Sequence, residues 1–297
     1  MIKRVMNMAI IQWYPGHMAK AKRELTEKLP LVDVVFELVD ARIPDASRNP
    51  DVAELIQNKP SVLILMKSDL ADPSVTNQWL DYYKKNNIEA VTFNGKSAKG
   101  INKIIDAARN VLEKDAIKRE EKGLKERAIR AVTVGIPNVG KSTLINRFAG
   151  KNITTTGNRP GVTKAQQWIK YKNQLELLDM PGILWPKFKD QTIGQKLALT
   201  GAIKDTLYYK DDISIFGINY LKENYPGALA KRYNFDPNLE QELTAPDILL
   251  LITEKRGFFD DYDRGAEMML NELRDGKLGR LSFERPGDMQ IDDKDNS

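Results

Sequence analysis

One eight-residue segment constrains this 297-residue chain more than anything else in it. The segment is Gly135-Ile-Pro-Asn-Val-Gly-Lys-Ser142, which fits the spacing G-x-x-x-x-G-K-S/T. It follows an apolar run at 131–134 that reads as a strand, and a helical pattern opens at Lys141. A loop that joins strand to helix in this way turns successive backbone N–H groups toward one point, with the positive end of a helix behind them. Pro137, Asn138, Val139, Gly140, Lys141, Ser142 and Thr143 would line that point. Such a cradle suits phosphate: the Lys141 ammonium neutralises phosphate oxygens, and the Ser142 hydroxyl is placed to hold Mg2+.

The hydrophobic pattern around the loop sets the fold class. Apolar runs at 32–39, 61–66, 88–93 and 174–178 read as strands. Helical spacing occupies 17–29 and 101–112, and a charged stretch continues to Arg130 as an exposed helix or linker. Strands alternating with helices imply an α/β protein with a mostly parallel sheet covered on both faces. Beyond Trp185 helical segments dominate, at 195–207, 213–225, 246–252 and 262–275. The expected organisation is a nucleotide-binding domain over 1–185, a smaller all-helical domain over 186–287, and a disordered acidic tail over 288–297.

Composition removes several classes. The absence of cysteine excludes disulfides, thiolate metal sites and cysteine nucleophiles. No apolar run reaches the roughly 18 residues of a membrane span. Asn7 and Gln12 interrupt the apolar N-terminal stretch, and no small-residue cleavage site follows it, so a secretion signal is not expected. The expectation is a cytoplasmic protein, with monomer as the default state. The net charge of +5 is unevenly spread: 30 basic residues face 20 acidic ones up to Gly182, and 16 face 21 beyond it. A basic first half suits a polyanionic partner, and it equally suits plain solvated surface.

Two further segments fall where a phosphate site needs them. Asp179-Met-Pro-Gly182 ends the strand at 174–178, so that the Asp179 carboxylate can hold Mg2+ through water and the Gly182 amide can sense a terminal phosphate. Thr163, in Pro160-Gly-Val-Thr163, offers a hydroxyl able to complete the metal's coordination. These segments resemble the phosphate, magnesium and switch motifs of the translation-factor-related GTPases of P-loop, Rossmann-like fold. The resemblance extends to the motifs that recognise guanine in that class. Met66-Lys-Ser-Asp69 is similar to N-K-x-D, and Ser97-Ala-Lys99 to S-A-K. It implies that Asp69 accepts hydrogen bonds from guanine N1 and N2, that Lys67 lies over the base beside Ser68, and that the Ala98 amide, between Ser97 and Lys99, donates to O6. Met66 departs from the pattern, which has Asn there to tie the base loop to the phosphate loop. The departure implies weaker guanine affinity with unchanged base choice.

The base motifs precede the phosphate loop, so the order is permuted. With Asp40-Ala-Arg42, set within Val39-Asp-Ala-Arg-Ile-Pro-Asp-Ala-Ser-Arg-Asn-Pro50, and Trp13-Tyr-Pro-Gly-His-Met-Ala-Lys-Ala21, this order resembles the bacterial circularly permuted GTPases that assist large-subunit assembly. The resemblance is strongest over 12–200. It implies GTP hydrolysis to GDP with Mg2+, and the large ribosomal subunit, its rRNA and its proteins as partners. Lys20, Lys22, Arg23, Arg42 and the stretch 114–130 would then contact RNA phosphates, although each can equally be solvated surface.

Many such enzymes carry Gln directly after D-x-x-G, but this chain has Ile183, which cannot orient water. Two candidates stand for the missing help. His17, the sole histidine, can reach an attacking water if its segment folds over the nucleotide, or it is merely a capping or exposed histidine. Asn138 matches an asparagine that in related GTPases helps to bind K+, or it serves the turn alone. Two other functions remain open: an accessory domain of an RNA-modification or membrane-associated system, and a nucleotide-dependent scaffold that does not hydrolyse.

Overall fold

The computed structural model describes residues 16–56, 58–97, 100–125, 127–150, 168–184, 188, 190–259 and 261–288, with the side chains of 16–19 outside the description. The chain divides into two compact units. One spans Tyr14–Pro186 and takes up the chain again from Glu284, and the other spans Lys187–Phe283.

The first unit is a six-stranded sheet. Its elements in chain order are α1 (Gly16–Lys28), β1 (Val34–Asp40), α2 (Pro50–Ile56), β2 (Ser61–Met66), α3 (Pro73–Lys85), β3 (Ala90–Thr92), α4 (Ile101–Glu121), β4 (Ile129–Gly135), α5 (Lys141–Ala149), β5 (Trp168–Tyr171) and β6 (Leu175–Asp179). The strand order is β3-β2-β1-β4-β6-β5. Five strands run parallel, and β5 pairs antiparallel with β6 at the edge. Every residue of β1 is buried, as a central strand covered on both faces requires. The carboxyl ends of β1, β2, β4 and β6 carry Asp40, Met66, Gly135 and Asp179, so the sheet collects the candidate site residues along one edge.

Some elements were not read from the pattern. The helical spacing at 101–112 continues without a break through Glu121 as α4. β5 is a four-residue edge strand, too short for its alternation to stand out. α3 starts at Asp72, whose carboxylate accepts from Ser74 and Val75 N–H, and Pro73 fills the first helical position, where no N–H is needed. It buries Val75, Trp79 and Tyr83 against Val39, Leu63 and Leu65 of β1 and β2. The rings of Trp79 and Tyr83 stack at 5.5 Å.

The second unit consists of α6 (Gln191–Leu199), α7 (Lys210–Asn224), α8 (Ala228–Tyr233), α9 (Pro237–Glu242), α10 (Ala245–Lys255) and α11 (Tyr262–Arg274). The pattern at 195–207 predicts one helix, but α6 stops at Leu199. Gly201 adopts φ +82°, and a short 3-10 turn follows at Asp205–Leu207. Arg274 holds this break, donating to the carbonyls of Ala198 (2.8 Å) and Leu199 (3.2 Å) and pairing with Asp205. α10 and α11 approach so closely that a Cβ on Gly265 would lie 2.0 Å from Thr253 Oγ1.

The helical pattern carries no sign that the chain returns to the first unit at Glu284 rather than ending in a tail. The buried Glu284 carboxylate accepts from the backbone N–H of Asp45 (2.9 Å) and Ala46 (3.0 Å), and its carbonyl accepts from Trp79 Nε1 (3.2 Å). Each buried N–H left without an acceptor costs about 1–3 kcal/mol. Glu284→Ala should therefore lower the denaturant stability of the sheet unit by about 3 kcal/mol, and Glu284→Gln, which keeps one accepting oxygen, by less.

Candidate functional site

The phosphate loop leaves β4 at Gly135 and enters α5 at Lys141. A Cβ on Gly135 would sit 2.7 Å from the Leu38 carbonyl, so only glycine lets β4 lie this close to β1. Asn138 (φ +57°) and Gly140 (φ +111°) are left-handed, which bends the backbone into a concave run of amides. Among the described residues no side chain caps the start of α5, whose first N–H groups lie at the concavity. Pro137, Val139, Ser142 and Thr143 thus stand within one turn of Lys141.

Lys141 and Asp179 face one another across the loop. Burial pushes the Lys141 ammonium down to about 8, with the Asp179 charge opposing the shift. Burial likewise raises Asp179, against Lys141 and the Met180 N–H. Asp179 Oδ1 is buried and has no hydrogen-bond partner among the described residues. A buried carboxylate oxygen of this kind fits a hard cation or its bound water. Among the described residues, no group of three or more acidic or imidazole side chains is arranged to hold a metal ion. One carboxylate and one hydroxyl suit Mg2+ that phosphates help to hold.

The segment after β6 lies directly on the loop. A Cβ on Gly182 would meet Pro137 N and Cα at 3.0 Å, and Ile183 N–H donates to the Gly135 carbonyl at 3.0 Å. Ile183 is buried.

The base-motif residues stand at the neighbouring strand ends. Lys67 is left-handed (φ +56°), and its ammonium pairs with Asp40 Oδ2 at 3.0 Å. Asp40 also receives Arg42 Nε at 2.9 Å and Nη2 at 2.8 Å. Burial alone would raise Asp40, but Arg42 and Lys67 prevail and hold its carboxyl well below the usual range. Ser68 N–H donates to Phe93 O at 3.3 Å, and Asp69 pairs with the exposed ammonium of Lys96 at 3.3 Å. The amides of Lys96 and Ser97 both donate to Asn94 Oδ1. Arg147 of α5 donates to the carbonyls of Gly95 (2.9 Å) and Lys96 (3.1 Å), fastening this loop to the phosphate-loop helix.

Met66 occupies the junction. Its methyl lies 3.1 Å from where a Cβ on Gly140 would stand, so an apolar contact spans the base loop and the phosphate loop where the resembling pattern has a polar one. Asn49 joins the other side, donating from Nδ2 to the Ile183 carbonyl at 3.1 Å. Gly95 and Arg147 carry no local motif, and Asn49 lies in the segment 39–50 that carries the resemblance but had no assigned role; only their contacts across the fold give these residues one. Thr163, Ala98, Lys99 and the His17 side chain lie outside the described residues. His17 itself falls in the first turn of α1.

A strand–loop–helix cradle on a parallel sheet, with base-type loops ahead of it in the chain, defines a phosphate-loop nucleotide-binding protein of permuted order. Residues 130–219 match the family described as 50S ribosome-binding GTPase. Ribosome biogenesis GTPase A of Priestia megaterium is 51% identical over 286 residues, covering 94% of this chain and 98% of that protein. The protein of that name from Thermotoga maritima is 33% identical over 279 residues, covering 94% and 96%. Among solved structures, GDP-bound YlqF is similar at TM-score 0.64 and 27% identity, covering 89% of this chain and 100% of that one. GNP-bound YlqF from T. maritima is similar at TM-score 0.62 and 27% identity, covering 90% and 98%. The chain belongs to the ribosome biogenesis GTPase A family.

The Lys141 environment sets a pH dependence. An ammonium with its pKa at about 8 is charged at neutral pH and loses its proton as pH rises, while bound phosphate favours the charged form. Affinity for GDP should fall about fourfold between about pH 7 and pH 8.5, with proton uptake on binding at the higher pH, as read by calorimetry in two buffers.

Proposed function

We propose that the chain binds GTP, hydrolyses it to GDP, and uses the change as a switch in late assembly of the large (50S) ribosomal subunit. The observation that carries this reading is convergence: Lys141 faces Asp179 while Gly182 rests on Pro137. A triphosphate end placed there meets a cation, a metal-holding carboxylate and a backbone amide together. The backbone N–H groups of 138–143 take the phosphates, and the Lys141 charge stabilises the transferring group.

Ser142, Asp179 and Thr163 hold Mg2+, which supplies charge neutralisation on the phosphate oxygens. Asp69 reads guanine N1 and N2, Lys67 lies along the base, and Ser68, Ser97, Ala98 and Lys99 complete the base pocket. The Lys96 ammonium is 75% exposed, so its pairing with Asp69 yields to the base at little cost. Asn138 provides a carbonyl oxygen for K+ beside the phosphates. His17 orients the attacking water when ribosomal RNA orders its segment. Lys20, Lys22, Arg23 and basic residues of the stretch 114–130 contact RNA phosphates, whereas Arg42 does not, being buried against Asp40; the protein acts as a cytoplasmic monomer. No described helix is long and apolar enough to cross a membrane.

A second reading, a nucleotide-dependent scaffold without turnover, draws on one observation. Ile183 is buried where a water-orienting side chain is expected. Steady-state turnover separates the two. Large ribosomal subunits should raise GTP turnover at least about tenfold, and K+ should support more turnover than Na+. Absence of turnover under every condition would establish the scaffold, and equal rates in both salts would remove the K+ role. Gly182→Ala, forced off Pro137, should keep GDP affinity while losing preference for a non-hydrolysable GTP analogue, measured by nucleotide titration.

A further inference from the structure

We infer that Asn49 is a positioning residue for GTP hydrolysis, holding the backbone after Gly182 in the register that lets the Gly182 amide meet the terminal phosphate. The inference rests on the reading of Gly182 as the amide that senses that phosphate.

Asn49 is almost fully buried, and both ends of its amide are engaged. Nδ2 donates to the Ile183 carbonyl at 3.1 Å, and Oδ1 accepts from Asp51 N–H at 3.0 Å at the start of α2. Ile183 N–H is bound in turn to the Gly135 carbonyl at 3.0 Å. Two consecutive peptide planes after Gly182 are therefore pinned, one by the phosphate-loop strand and one by Asn49. Rotation that brings the Gly182 amide to or from a phosphate must occur at Gly182 itself, where the absence of a side chain permits it.

Asn49 is a fixed reference because its loop is fastened along its length. Asp40 N–H donates to Ser47 Oγ (2.9 Å), and Ser47 Oγ–H donates to the Ile43 carbonyl (2.6 Å). Arg48 Nε donates to both oxygens of buried Glu37, at 3.1 and 3.2 Å. Glu284 holds the N–H groups of Asp45 and Ala46. The loop that begins at Asp40, the partner of Lys67, thus ends at Asn49, the partner of Ile183. It is one of the links between the base side and the phosphate side of the site.

Two variants separate this role from the capping of α2. Asn49→Asp keeps an oxygen for Asp51 N–H but offers no donor to Ile183 at neutral pH. Asn49→Ser also caps, and is too short to reach Ile183. In the full-length chain, each should leave GDP affinity within about twofold, lower affinity for a non-hydrolysable GTP analogue about tenfold, and lower single-turnover hydrolysis to a similar degree. Equal weakening of both nucleotides, or no change in either, overturns the inference. If Asn49→Asp does not fold by thermal unfolding, Asn49→Ser decides. Gly182→Ala run in parallel separates the two failures. If it shifts the analogue-to-GDP ratio and the Asn49 variants do not, Asn49 alone is refuted. If Gly182→Ala also leaves the ratio unchanged, the reading of Gly182 falls, and the Asn49 inference with it.

Discussion

A buried carboxylate at the end of the central strand organises the site. Asp40 is almost wholly removed from water, and a charge so placed survives only if it is fully paired. Arg42 meets both its oxygens and Lys67 meets one, so the two cations and the turn that follows β1 are drawn to a single point. Lys67 reaches it by taking a left-handed backbone that a lysine seldom adopts. Removal of either cation would leave part of that charge uncompensated, so the ion cluster fixes geometry more than it adds stability.

From Asp40 the order is passed outward in both directions along the strand ends. On one side, Lys67 and Met66 carry the base loop, and Met66 touches the phosphate loop by dispersion at Gly140. On the other, the turn over 41–49 reaches the backbone after Gly182. Arg147 adds a third link from the phosphate-loop helix to the carbonyls of Gly95 and Lys96. Permutation of the chain leaves this set of contacts intact. Strand ends that neighbour one another in the sheet exchange contacts whatever the order of synthesis, so the base motifs work equally well from the front of the chain.

What was legible in the sequence divides by range. The phosphate loop is a local pattern, and its eight residues carry their own turn chemistry, so the strand, the loop and the helix followed directly. β1 and β2 were readable as apolar runs because both strands are central and buried. β5 was not, being short and at an edge, and α3 was hidden because Trp79 and Tyr83 are spaced among polar residues that periodicity alone undervalues. Met66 was legible as a departure, but its compensating contact with Gly140 depends on two loops meeting in space. The contacts of Asn49 and Glu284 were illegible for the same reason. Asn49 stood inside the segment 39–50 that carries the resemblance, but only the fold supplies Ile183 to it, and Asp45 and Ala46 to Glu284.

The return of the chain at Glu284 has a bearing on synthesis. Its contact with Asp45 closes a separation of 239 residues, and the bonds to Ala46 and from Trp79 close separations nearly as long. When the ribosome has made residues up to 186, every strand of the sheet exists, but the amides of Asp45 and Ala46 still lack their acceptor. The whole helical unit must emerge before the last part of the sheet unit arrives. A contact of such high order is made late, since the loop it closes must first be paid for in entropy. The nascent protein therefore completes its nucleotide unit only after the helical unit has been made, and a chain cut before Glu284 is left with the amides of Asp45 and Ala46 unpaired beside its central strand.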